Sequence, residues 1–178
     1  MKSQNDTAYD ESEIIKTLLA GEVATVPTET VEGYAVLLSK KEAIKKLMVK
    51  KDRDFNSGKV FTLIPESKSA IENYVIIPEK FKPIIAGCLP GEFTFILPKN
   101  PKFKNYYYDH FNNIGIRLPD YDFFKHLQEK VGPMILTSAN PRGGTPKTLT
   151  GHLPSTVVDL THENPIILRQ GTSKFDLQ

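Results

Sequence analysis

Between Asp10 and Ala20 the apolar residues Ile14, Ile15, Leu18 and Leu19 recur at helical spacing, and Gly21 supplies a C-terminal stop. Val23 to Val26 then reads as a strand. Pro27 fixes its own φ and withholds an N–H, which ends that strand before Thr28. Tyr34 to Leu38 is near-continuously apolar and reads as a second strand or a buried turn of helix. Ser39 is the expected N-cap of a helix running to about Lys50, with Ala43, Ile44, Leu47 and Met48 on one face.

Farther along, Val60 to Ile64 reads as a strand closed by Pro65, with short helices expected after Ser67 and after Pro78. Leu89-Pro90-Gly91 is a turn signal, Phe93 to Leu97 a strand stopped by Pro98, and 99 to 113 an irregular loop. Gly115 to Leu118 is a strand, and Asp120 to Lys130 an amphipathic helix carrying Phe123, Phe124 and Leu127. Met134 to Thr137 is a buried strand, Asn140 to Lys147 a loop, and Val157 to Leu160 and Ile166 to Leu168 are late strands. Several strands follow one another with no room for a crossover helix, so an α/β fold with a mixed sheet is expected.

Composition narrows this little. The 178 residues carry 39% hydrophobic and 25% charged residues and a net charge of +2, which fits one globular domain and leaves any basic surface to local clustering. Residues 10–178 are expected to form that domain, with 1–9 a flexible start. The single cysteine, Cys88, excludes an internal disulfide and a Cys-based zinc site, and its apolar setting reads as an inert thiol. The four histidines show no metal-ligand spacing, so no protein metal site is expected. The polar N-terminus is no secretory signal and no apolar run approaches a membrane span, which makes a cytoplasmic protein the expectation.

The candidate chemistry lies where apolar runs break into small hydroxyl residues: Pro27-Thr28-Glu29-Thr30, Thr137-Ser138-Ala139-Asn140 and Ser155-Thr156. Such strand ends place short donors and backbone N–H groups at a sheet edge, where anions are often held. Lys51 and Arg53, beyond the lysine-rich helix, are spaced for phosphate recognition. Arg117 lies in an apolar run and must be paired with a carboxylate or reach a ligand, and Arg169 poses the same question. Tyr106-Tyr107-Tyr108 either packs over the core or stacks on nucleic-acid bases. No Walker loop, dinucleotide fingerprint or nucleophile elbow is present.

In order along the chain, Pro27-Thr28-Glu29-Thr30-Val31-x-Gly33, Lys51-x-Arg53, Leu89-Pro90-Gly91 with Thr94, and Gly115-Ile116-Arg117-Leu118-Pro119 resemble the YrdC/TsaC family of threonylcarbamoyl-AMP synthases. Thr137-Ser138-Ala139-Asn140, Ser155-Thr156-Val157-Val158-Asp159 and Leu168-Arg169-x-Gly171 continue the resemblance, which runs from about Ile14 to Gly171 and stops where a single-domain member is expected to stop. The resemblance implies a YrdC/RibB-like α/β fold: a twisted mixed parallel/antiparallel sheet with flanking helices around a concave basic cavity. It implies that L-threonine, bicarbonate and ATP, with Mg2+ on the triphosphate, give L-threonylcarbamoyl-adenylate and pyrophosphate. A separate complex then uses the adenylate to modify tRNA. By the same resemblance, Thr28, Thr62, Arg117 and Ser155 bind threonine. Lys51 and Arg53 hold the phosphates, with Ser57, Asn113, Ser138, Asn140 and Arg169 on the nucleotide.

The chain departs from the family pattern at Glu32, Asp54, Ser57 and Thr62, where Tyr, Pro, Lys or Asn, and His are usual. Glu32 and Asp54 add negative charge near a site meant for a triphosphate. Two other readings therefore accompany the synthase: a paralogue with altered chemistry, and a module that binds tRNA or double-stranded RNA.

Overall fold

A computed structural model describes residues 9–140 and 153–175. The first helix, α1 (Glu11–Leu19), starts where the Asp10 carboxylate accepts from the N–H groups of Ser12 and Glu13, and it buries Ile14 and Leu18. Strands β1 (Ala24–Val26) and β2 (Gly33–Leu37) pair antiparallel across the hydroxyl-rich loop that follows Pro27. Helix α2 (Lys41–Lys50) buries Ala43, Ile44 and Leu47 as its apolar face predicts. Its N-cap is Lys40 rather than Ser39, and no side chain caps it; Ser39 falls one residue too early to reach the free N–H groups.

Strand β3 (Thr62–Ile64) is followed by α3 (Ile71–Tyr74) and α4 (Lys82–Cys88), which confirms short helices in both expected places. Cys88 is half-buried at the end of α4, and loss of water raises its thiol pKa, consistent with an inert thiol. Strands β4 (Phe93–Pro98) and β5 (Asn113–Ile116) flank the irregular segment, and α5 (Asp122–Val131) leads into β6 (Met134–Ser138). Strands β7 (Thr156–Asp159) and β8 (Ile166–Arg169) close the chain. The fifth strand is displaced from the expected Gly115 to Leu118. Its register with β4 runs from Pro98↔Asn113 to Phe95↔Ile116, which leaves Arg117 just past the strand, held by one bond from its N–H to Leu63 O at 3.1 Å.

The eight strands form one sheet in the order β1-β2-β6-β3-β5-β4-β7-β8. The pairs β3–β5 and β4–β7 are parallel and the rest antiparallel, so the sheet is mixed as the short connections require. Side chains alternate between its faces. Ala35 and Leu37 join Ile14, Leu18, Phe124 and Leu127 under α1 and α5, while Val36 joins Ile44, Leu47, Phe61 and Phe95 on the other side. Among the described residues no helix is long and apolar enough to cross a membrane.

Candidate active site

The loop after β1 folds around one hydroxyl. Thr28 Oγ1 donates to Val31 O at 2.8 Å and accepts from the N–H groups of Thr30 and Val31, each at 3.2 Å. This is the local turn that Ser and Thr side chains make when they replace a backbone partner. It fixes the next two side chains. Thr30 Oγ1 accepts from Arg117 Nη2 at 2.9 Å, and Glu29 Oε1 lies 2.9 Å from the same nitrogen. Arg117 is thus paired with a carboxylate, as one sequence reading has it, and it also lines a cavity.

Helix α2 ends in a geometry that separates Lys51 from Arg53. Arg53 N–H donates to Met48 O and Asp52 N–H to Val49 O, both at 3.0 Å, and Asp52 takes a left-handed φ of 47°. That is a Schellman cap with Asp where Gly is commonest. Lys51 turns inward: its ammonium donates to Ser138 O at 2.9 Å and also to Asn140 O, at the end of β6. Burial, and then the Arg53 charge, push its pKa below the ordinary lysine value. Arg53 turns the other way, over the Phe61 ring at 5.0 Å, into the cavity.

The third corner is Ser155, which shares a 2.9 Å hydrogen bond with Thr94 Oγ1. The Arg169 guanidinium grips the Ser155 carbonyl from Nε at 3.0 Å and from Nη2 at 2.8 Å. Arg169 is exposed as a whole residue, yet its head is shielded there. Desolvation, and then the charge of Arg117, lower its pKa. Behind it the backbones pass so closely that a Cβ on Gly171 would lie 1.9 Å from Pro154 O, so only glycine fits.

These corners enclose a cavity of about 550 Å³ across the sheet. Thr28, Arg53, Thr62, Asn113, Arg117, Ser138, Ser155 and Arg169, all expected from the sequence, line it together. Lys51, Ser57 and Asn140 do not. Lys51 is turned onto carbonyls, and Ser57 lines a second concavity of about 670 Å³ that shares Arg53 with the first. Beyond Asn140 the expected loop to Lys147 lies outside the described residues.

Among the described residues the charged lining groups are Arg53, Lys59, Arg117 and Arg169 against one acid, Glu32. Glu32 accepts a hydrogen bond from the Tyr9 hydroxyl. Desolvation, and then this carboxylate, raise the phenol's pKa. Tyr9 was expected within the flexible start, and residues 1–8 lie outside the described set. Sequence reasoning also missed Lys59, and Glu29 and Thr30 as partners of Arg117. No local pattern marks a contact between residues 88 positions apart. Tyr107 and Tyr108 are buried, with their hydroxyls on Phe61 N–H and Phe61 O at 3.1 Å each, which removes them as base-stacking platforms.

The Sua5/YciO/YrdC family model, which carries the description "Telomere recombination", matches residues 16–153. The chain belongs to this family. A Vibrio parahaemolyticus protein named threonylcarbamoyl-AMP synthase is 30% identical over 169 residues, 92% of this chain and 88% of its own. Among solved structures, P. abyssi Sua5 complexed with L-threonine superposes with a TM-score of 0.78 at 24% identity over 91% of this chain. This chain spans about 55% of that protein's length. E. coli YciO superposes with a TM-score of 0.76 at 21% identity, over 93% of this chain and 92% of its own.

Proposed function

We propose that this chain is a nucleotidyltransferase that makes L-threonylcarbamoyl-adenylate and pyrophosphate from L-threonine, bicarbonate and ATP. The observation that carries the reading is the placing of Arg53, Arg117 and Arg169 on one cavity whose wall also holds Thr62, Thr94 and Ser155. Three guanidiniums suit two anionic partners, an amino-acid carboxylate and a triphosphate, and the hydroxyls suit a small polar side chain. A volume of about 550 Å³ falls in the ordinary range for small-molecule sites.

In this reading Arg117 takes the threonine carboxylate, with Thr28, Thr62 and Ser155 around it. Because the Thr28 hydroxyl is occupied within its own turn, its contact with threonine falls to the backbone or methyl group. Arg53 holds phosphate, and Asn113, Ser138 and Arg169 the nucleotide. Lys51 acts indirectly, by fixing the carbonyls of Ser138 and Asn140 and so the turn that meets the nucleotide. The threonine nitrogen takes up bicarbonate carbon with loss of water, and the carbamate oxygen displaces pyrophosphate from the α-phosphorus. Positioning and charge stabilisation then account for the rate.

Among the described residues no group of three His, Cys, Asp or Glu side chains is built to hold a metal ion, so magnesium would arrive on the triphosphate's own oxygens. The adenylate would pass to a separate tRNA-modifying complex. A paralogue with altered chemistry is the second reading, favoured by the Glu32 carboxylate on the lining.

Mass spectrometry of a reaction with ATP, bicarbonate and threonine tests this directly. The threonylcarbamoyl-adenylate mass is expected, and should vanish when threonine is left out. A different amino-acid or carbamoyl adduct in its place would support the paralogue.

A further inference from the structure

Arg117 and Arg169 share one cavity wall, and their charges oppose each other. Like-charged guanidiniums tend to turn apart unless an anion lies between them or a counter-charge holds one in place. Glu29 is the carboxylate on Arg117. Its Oε1 lies 2.9 Å from Arg117 Nη2, and the two side chains are only 14% and 6% exposed.

Two further restraints act on the pair. Arg117 Nη2 also donates to Thr30 Oγ1 at 2.9 Å, and Glu29 Oε1 lies 3.4 Å from the Asp120 N–H. Yet the pairing is incomplete. Arg117 Nε and Glu29 Oε2 are both buried and have no hydrogen-bond partner among the described residues. A bidentate ion pair built only for stability would have used both atoms.

We propose that Glu29 is the positioning residue for Arg117, aiming its guanidinium before any ligand arrives and balancing the charge of the two arginines. The proposal rests on the reading that Arg117 receives the threonine carboxylate. Held from Nη2, the Arg117 guanidinium is already fixed where the residue lines the cavity, so binding needs no reorganisation of the arginine. Because threonine is a zwitterion with no net charge, the negative charge of Glu29 disfavours chloride or phosphate on the arginines more than it disfavours threonine.

The test is threonine binding by calorimetry, on the full chain and on Glu29→Gln and Thr30→Val. Each is measured in potassium gluconate and in potassium chloride at equal ionic strength, with thermal melts to confirm folding. Wild type should bind equally in both salts. Glu29→Gln should bind about tenfold more weakly in gluconate, the scale of one lost charge-assisted bond, and weaker again in chloride. Thr30→Val keeps the charge, so it should weaken binding without chloride sensitivity.

A folded Glu29→Gln with wild-type affinity, or with the same loss in both salts, overturns the proposal. Should that variant not fold, Glu29→Asp, which keeps the charge but shortens the reach to Arg117, takes its place, and wild-type affinity there overturns the proposal. If wild type binds no threonine in either salt, the proposed function fails separately. Glu29 is then judged with inorganic phosphate, whose affinity must rise in Glu29→Gln.

Discussion

Lys51 Nζ lies 2.9 Å from the carbonyl oxygen of Ser138, which ties the end of α2 to the end of β6. The same ammonium reaches Asn140 O, so one buried charge shapes the turn that carries two of the expected nucleotide contacts. Lys51→Met removes the donor from both carbonyls. The expected loss is about 1–3 kcal/mol of stability, read from urea unfolding, with a rise in the KM for ATP. Wild-type stability and KM together would show that the turn is held by other means.

The Lys51 pKa gives a pH signature. Burial, and then the Arg53 charge, hold it below the ordinary lysine value of 10.5. Between the lowered value and 10.5 the unfolded chain binds more protons at this residue than the folded chain, so stability rises with pH across that window. Below the window the penalty is present in full. The urea midpoint of wild type relative to Lys51→Met should therefore rise as the pH climbs toward 10.5. A fall over that interval contradicts the assignment.

Tyr107 and Tyr108 bracket the backbone of one residue, Phe61. The Tyr107 hydroxyl accepts from Phe61 N–H and the Tyr108 hydroxyl donates to Phe61 O, each at 3.1 Å. Tyr107→Phe leaves a buried N–H without a partner and should lower stability by about 1–3 kcal/mol. Tyr108→Phe should act in the same direction. Chemical denaturation of both variants reads this, and unchanged midpoints would show that water replaces the phenols.

Glu32 is the acid on the cavity lining, and Tyr9 bonds to it. Removing its charge with Glu32→Gln should tighten binding of a triphosphate, lowering the KM for ATP about two- to fivefold through weaker repulsion. A raised KM would instead mean that Glu32 accepts a hydrogen bond from the nucleotide.

Much of the fold was legible because it rests on local rules. The helical spacing after Asp10 became α1, Ile14 and Leu18 face inward, Pro27 closes β1, and strands without crossover helices made a mixed sheet. Failures arose where a neighbour in space decides. Arg117 was read inside a strand, but the pairing of β5 with β4 ends at Ile116. Lys51 and Arg53 looked like equal partners, and the left-handed Asp52 sends them to different places. The site was legible as a set of strand ends. Its internal wiring was not, because Glu29 and Arg117, or Lys51 and Ser138, meet only after the sheet is assembled.

The most direct measurement is pyrophosphate release from ATP, with and without L-threonine and bicarbonate, in wild type, Arg53→Ala and Arg117→Ala. Release should depend on both threonine and bicarbonate, and each substitution should abolish it while the fold, read by circular dichroism, stays intact. Release that ignores threonine in a folded, ATP-binding preparation, or wild-type rates in either variant, would contradict the account.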